Sequence, residues 1–309
     1  MKQLLPLLLL GLLPALAAAA ANFPPCFAAP ESAAVQQSDQ PILVSPQWVR
    51  EHQSDPGLVI LQVNFLKFDY EKEHIDGARF LWPAWLAPDN PETGSYNVPD
   101  PKKATEILQK LGISKNSKVV LCHVRNEVSV TARMFLTLEQ LGLRGQVSYL
   151  NGGLEAWKKA GFTVTNVVSG VKKGNFKATL SDIIVDKDYV LQALKSPASV
   201  VVDARMKRFY DGDPTGNPRD GHITGAQNIP YTEMVDSLNQ FKPGAELETY
   251  FSPAVPDKSK EVVAYCFIGQ TASVVYMAGR LLGYRVKLYD ASLQEWSRKE
   301  ELPMEKTPR

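Results

Sequence analysis

Val262-Val263-Ala264-Tyr265-Cys266-Phe267-Ile268-Gly269-Gln270-Thr271 is an apolar run that stops on a cysteine and passes at once into a short loop with one glycine. Beyond it, Val274, Val275, Met277, Ala278, Leu281 and Leu282 recur at helical spacing, and Gly283 ends the pattern. The stretch therefore predicts a buried strand, a tight turn and an amphipathic helix. Cys266 then sits at a helix N-terminus, where free N–H groups and the positive end of the helix dipole favour a thiolate or an anion attached to its sulfur. Gly269 allows the backbone to curl inward. A cysteine that closes a strand is commonly inert packing. The small polar loop wrapped around this one points to a nucleophile instead.

The 309 residues are 44% hydrophobic and 22% charged, a globular composition with room for two ordinary domains. Lys2, the apolar stretch Leu4 to Leu16 and the small-residue run Ala17 to Ala21 have the three-part pattern of a secretory signal peptide. This predicts cleavage near Ala21 and a periplasmic or secreted protein. Pro6, Gly11 and Pro14 interrupt an apolar stretch already too short to span a bilayer comfortably, and no stable membrane anchor is expected after cleavage. The net charge of +1 gives no field that implies nucleic acid or lipid headgroups as partners. The three cysteines, Cys26, Cys122 and Cys266, are too few for the disulfide framework of a small secreted domain. Cys26 falls in a Pro-, Ala-, Ser- and Gln-rich leader and receives no role.

The chain carries the same signals twice. Leu58 to Leu61 and Val200 to Val202 are apolar strand runs; His74-Ile75-Asp76-Gly77-Ala78 matches His222-Ile223-Thr224-Gly225-Ala226; and Val119-Val120-Leu121-Cys122 matches Val263-Ala264-Tyr265-Cys266. Each half continues into an amphipathic helix, a short strand (Val147 to Leu150, Val286 to Tyr289) and a helix bearing Trp157 or Trp296. Strands alternating with helices predict a parallel sheet covered on both faces. Ser45 followed by Pro46, and Asp186, are candidate N-caps. The expected layout is signal peptide 1–21, flexible leader 22–41, first domain 42–165, linker 166–177 and second domain 178–305.

The His-Ile-x-Gly-Ala strings, the Cys-x-x-Gly-x-Thr loop from Cys266 to Thr271, Asp203-x-Arg205 and the two Trp-bearing helices resemble the tandem rhodanese family of sulfurtransferases over nearly everything after the leader. The resemblance implies two doubly wound α/β domains, the second one catalytic. It implies that Cys266 attacks the outer sulfur of a small donor, carries it as a persulfide and passes it to a thiol or cyanide-type acceptor, with no cofactor and no metal. The amides of Phe267, Ile268, Gly269, Gln270 and Thr271 would hold the anionic sulfur. By the same resemblance Arg208 would dock the anionic part of the donor, and Asp203 with Arg205 would form a structural pair.

The first half departs from this pattern. Cys122 lies 20 positions before Gly142, whereas Cys266 lies 17 before Gly283; the longer loop has no glycine and carries Glu127, whose charge would spoil an anion cradle. Gln62 and Asn64 stand where the second half has Asp203 and Arg205. The first domain is accordingly expected to be inactive and Cys122 structural, as is His222, which has a counterpart in His74. The oxygen-rich Asp211 to Asn217 segment lacks the spacing of a calcium loop and reads as a surface turn. A noncatalytic sulfur carrier is the alternative function. A phosphatase loop would end in arginine where this chain has Ala272, and a thiol–disulfide enzyme would have a resolving cysteine close to Cys266.

Overall fold

The computed structural model describes Met1 and residues 40–308. The signal peptide, the leader up to residue 39 and Cys26 lie outside the described residues. The first half runs β1 (Leu43–Val44), α1 (Pro46–His52), β2 (Leu58–Val63), α2 (Lys67–Lys72), β3 (Arg79–Leu81), α3 (Pro101–Lys110), β4 (Lys118–His123), α4 (Val128–Leu138), β5 (Val147–Leu150) and α5 (Gly153–Lys159). The second half runs β6 (Ile184–Val185), α6 (Lys187–Lys195), β7 (Ser199–Asp203), α7 (Lys207–Asp211), β8 (His222–Ile223), β9 (Gln227–Asn228), α8 (Gly244–Ala254), β10 (Glu261–Tyr265), α9 (Ala272–Leu281), β11 (Arg285–Tyr289), α10 (Ser292–Trp296) and β12 (Met304–Glu305).

The strand orders are β1-β5-β4-β2-β3 and β6-β11-β10-β7-β9, with every pairing in both sheets parallel. These are the two doubly wound domains expected from the alternation of strands and helices. The central strands β4 and β10 are buried along nearly their whole length, which is why they read as unbroken apolar runs. Ser45 caps α1 through a 3.1 Å bond from the Trp48 N–H, and Asp186 caps α6 through a 2.9 Å bond from the Tyr189 N–H. Pro41, at the end of the expected leader, is already fixed to the first sheet by the Ser148 hydroxyl. Within the segment expected to be a linker, the Gly174 and Phe176 N–H groups bond to the Gln109 and Ile113 carbonyls of the first half.

A shared core forms where α4 packs on α9, with Met134, Phe135, Leu138, Val274, Val275 and Ala278 buried between the halves. Two outer cores surround Trp157 and Trp296. The duplication extends to hydrogen bonds. Tyr70 donates to the Ala78 carbonyl and stacks on His74, and Tyr210 donates to the Ala226 carbonyl and stacks on His222. Each histidine also bonds through Nδ1 to the carbonyl of its tyrosine.

Strand register corrects one sequence match. Gln62 lies opposite Cys122, and Asp203 lies opposite Tyr265. Since Gln62 and Asp203 occupy the same place in the two halves, Cys122 corresponds to Tyr265, and His123 corresponds to Cys266. A shift of one residue turns a side chain to the other face of the sheet. Cys122 accordingly joins the outer core around Trp157, as Tyr265 joins that around Trp296, whereas Cys266 belongs to the shared core between the halves. Burial pushes the Cys122 thiol well above its usual range.

Burial also pushes His123 down to about 4, partly opposed by hydrogen bonding to the Arg125 carbonyl. The folded value lies below the ordinary 6.5, so the native state binds fewer protons across that interval and stability falls as pH drops through it. Glu127, pushed up to about 7 by burial, acts in the opposite sense, losing stabilisation as pH rises. Thermal and urea melts between pH 7.5 and pH 4.5 are expected to show His123→Gln losing about 2–3 kcal/mol less stability than wild type. Parallel losses in the two proteins would exclude His123 as a source of acid sensitivity.

Candidate functional site

Cys266 directly follows β10 with only 1% of its surface exposed, and its thiol is not disulfide-bonded among the described residues. Its N–H donates to the Ser292 hydroxyl at 3.1 Å, and that hydroxyl donates to the Tyr289 carbonyl at 2.8 Å. Ser292 adopts a φ of +52°, an uncommon conformation for a residue with a side chain, in order to stand beneath the loop. The helix that follows the loop begins at Ala272, with Thr271 at its cap position in a helical conformation and without a side-chain cap bond.

Every carbonyl from Cys266 to Gln270 accepts a hydrogen bond. The Cys266 carbonyl takes the Leu293 N–H at 3.2 Å, Phe267 the Gln294 N–H at 3.0 Å, Ile268 the Tyr96 N–H at 3.2 Å, and Gln270 the Ser273 N–H at 3.1 Å. The Gly269 carbonyl accepts from Arg133 at 3.2 Å and from the Ser273 hydroxyl at 3.1 Å. By contrast, among the described residues none of the N–H groups of Phe267, Ile268, Gly269, Gln270 and Thr271 meets an acceptor. A trans peptide holds its C=O and N–H on opposite sides. Tying the carbonyls to the surrounding protein therefore leaves the loop with a set of free donors, the arrangement that receives anions in backbone nests.

Gly269 is required by both conformation and space. Its φ is +79°, and a Cβ there would fall 2.4 Å from Asp290 Oδ1 and 2.7 Å from the Asp290 carbonyl oxygen. The Gln270 side chain is committed to the first half: its Oε1 accepts from Tyr96 at 2.8 Å and its Nε2 donates to Ser129 at 2.9 Å.

Asp203 and Arg205 form a buried two-point ion pair, with Nε 3.0 Å from Oδ1 and the terminal nitrogen 2.6 Å from Oδ2. Burial works against the Arg205 charge, but the adjacent Asp203 carboxylate outweighs it and holds the guanidinium above its ordinary range. Arg205 lies 4.9 Å over the Phe267 ring, which also makes a T-shaped contact with Phe209 at 5.4 Å between centroids. The pair thus orients the first aromatic residue of the loop. Arg208 is exposed, rests on the Phe209 ring at 4.5 Å and makes no ion pair among the described residues.

Tyr96, Ser129, Arg133, Asp290 and Ser292 were not legible as site residues in the sequence. Arg133 and Tyr96 come from the other half, and no local spacing connects them to Cys266. For Asp290 the duplication alone offered a hint, a polar residue just past the same strand in both halves. Its counterpart is Asn151, which accepts the Phe241 N–H at 2.7 Å, so both halves use this position to reach across to the other.

Two parallel-sheet domains and a cysteine loop with its amides unpaired define a duplicated α/β protein with a buried thiol beside free backbone donors. A family model described as a rhodanese-like domain matches residues 45–160 and 186–299, and the chain belongs to the tandem rhodanese sulfurtransferase family. It is 32% identical over 268 residues to the probable 3-mercaptopyruvate sulfurtransferase of Pseudomonas aeruginosa, covering 82% of this chain and 94% of that one. It is 31% identical over 280 residues to the sulfur carrier protein TtuD of Thermus thermophilus, covering 86% and 96%. The crystal structure of SseA from Escherichia coli, a 3-mercaptopyruvate sulfotransferase, superposes with a TM-score of 0.71 at 26% identity, covering 82% of this chain and 99% of that one. As a member of this family the chain is a sulfur-transferring enzyme of the rhodanese type.

Replacement of Gly269 by alanine should cost about 1–3 kcal/mol in stability through strain at positive φ and displacement of Asp290. It should also slow alkylation of Cys266 by at least about tenfold. Unchanged melting and alkylation would show that the loop closes without the glycine.

Proposed function

We propose that Cys266 carries sulfane sulfur as a persulfide between a small anionic donor and a thiophilic acceptor. The observation that supports this reading is the row of five unpaired N–H groups beside a buried thiol. In the first step the Cys266 thiolate attacks the outer sulfur of the donor. A sulfur–sulfur bond forms at Sγ, and the bond from that sulfur to the rest of the donor breaks with its electron pair leaving on the donor. The acceptor then attacks the outer sulfur, and the Sγ–S electron pair returns to Cys266 as thiolate.

The free amides stabilise the charge carried by the terminal sulfur in a site where water competes little. Arg208 is suited to dock the anionic end of the donor, being exposed and without a carboxylate partner among the described residues. Asp203 and Arg205 support the loop through Phe267. The apolar pair Phe267 and Ile268 suits a small, highly charged donor less well than one with an apolar portion. The first domain supplies no second thiol at the equivalent place, which holds His123.

Similarity to a protein named as a sulfur carrier favours a second reading, in which the persulfide passes only to one docked partner. The signal-like N-terminus supports export to the periplasm or beyond, and no described helix is long and apolar enough to cross a membrane. N-terminal sequencing of the mature protein is expected to begin near Asn22.

Intact-protein mass measurement after incubation with thiosulfate or 3-mercaptopyruvate is expected to give a one-sulfur adduct in wild type and Cys122→Ser but not in Cys266→Ser. An adduct lost only in Cys122→Ser would reverse the assignment. Repeated turnover with cyanide supports the enzyme reading, whereas a single stoichiometric transfer supports the carrier. Arg208→Ala should raise the donor KM by about tenfold, as expected for loss of one charge-assisted contact.

A further inference from the structure

We propose that Arg133, contributed by the half that lacks the reactive cysteine, is a positioning residue for sulfur transfer, holding the Cys266 loop in its donor-presenting shape. The inference rests on the persulfide reading above and adds the device that keeps the loop competent. Arg133 lies on α4 at the contact with α9, and 1% of its surface is exposed. One terminal nitrogen bonds to Asp290 Oδ1 and also to the Gly269 carbonyl at 3.2 Å. The other bonds to Asp290 Oδ2 at 3.0 Å and reaches the Asn97 carbonyl at 3.4 Å. The Tyr96 ring lies 5.7 Å from the guanidinium carbon.

The consequence follows from peptide geometry. The Gly269 carbonyl and the Gln270 N–H share one trans peptide, so a carbonyl held by Arg133 turns that N–H to the opposite side. The Ile268 carbonyl, held by the Tyr96 N–H, orients the Gly269 N–H in the same way. The first half therefore sets two of the five free donors, and α10 sets two more through the Leu293 and Gln294 N–H groups. An unrestrained peptide would be free to flip its N–H toward water. A buried cation on the Gly269 carbonyl opposes that flip.

Asp290 neutralises the cation, so Arg133 acts by geometry rather than by adding net charge to the site. Asp290 Oδ1 also stands where a Gly269 Cβ would be, which joins the grip of Arg133 to the need for glycine. Planar two-point bonding to a carboxylate with a simultaneous carbonyl contact suits arginine and not lysine.

The test compares wild type with Arg133→Lys, Arg133→Met and the double variant Arg133→Met/Asp290→Asn, which avoids leaving a buried carboxylate unpaired. Thermal unfolding, the rate of Cys266 alkylation by iodoacetamide and single-turnover persulfide formation are measured on the full chain. Misplacement of catalytic donors by about an ångström slows such steps by about 10- to 100-fold. The double variant is expected to keep a cooperative melt, lose at least about tenfold in alkylation and persulfide formation, and lower kcat with little change in donor KM, since Arg208 is untouched. Arg133→Lys should melt cooperatively and fall between wild type and the double variant in both rates, and it decides the question if the methionine variants do not fold.

Wild-type rates in a folded Arg133→Lys and a folded double variant would overturn the proposal. Alkylation needs no sulfur donor, so it tests the grip even if wild type forms no persulfide, an outcome that would count against the persulfide reading alone.

Discussion

Peptide planarity between Cys266 and Gln270 is the constraint on which this molecule depends. Each carbonyl tied to the surrounding protein commits the next N–H to the other side. The Cys266, Phe267, Ile268 and Gly269 carbonyls are tied by partners from outside the loop, two from α10 and two from the first half. These four carbonyls have no partner within the six-residue turn itself. The loop therefore requires the start of α10 on one side and the first domain on the other. The first domain is thus part of the framework of the Cys266 loop.

The two halves show how one scaffold accommodates two outcomes. Their outer cores repeat around Trp157 and Trp296, and the tyrosine–histidine stacks repeat with matching hydrogen bonds. They diverge at the end of the central strand. The second half places Cys266 on the face between the domains and follows it with Gly269; the first places His123 there and reaches α4 through a loop in which Arg125, not glycine, takes positive φ. Cys122 is retained one residue earlier and faces the outer core. The sulfur present in both halves therefore lies in chemically different places.

Buried charge is concentrated where the halves and the loop must be fixed. Asp203 with Arg205, Arg133 with Asp290, and Glu139 with Arg280 each include at least one fully buried charge and make two or more hydrogen bonds. Such pairs add little net stability over apolar packing because both charges lose their water, but breaking one leaves an uncompensated ion. Their contribution here is directional. Arg205 sets the Phe267 ring, Arg133 sets the Gly269 carbonyl, and Glu139, the residue just past α4, bonds to Tyr276 and Arg280 of α9.

The sequence by itself determined the features that depend on neighbouring residues. The apolar run into Cys266, the helical spacing after it, the caps at Ser45 and Asp186 and the duplicated order of signals were enough for two parallel-sheet domains and for a cysteine loop between strand and helix. Only the tertiary structure decided that Cys122 matches Tyr265, because strand register depends on which residue lies opposite Gln62 in the sheet. Only it brought Arg133 to Asp290 and Tyr96 to Gln270, pairs 157 and 174 positions apart in the chain. Local periodicity encodes which face of an element is buried, but not which distant charge will meet it there. That meeting is settled by the packing of α4 on α9, where each charge is lodged beside the other because neither could remain buried alone.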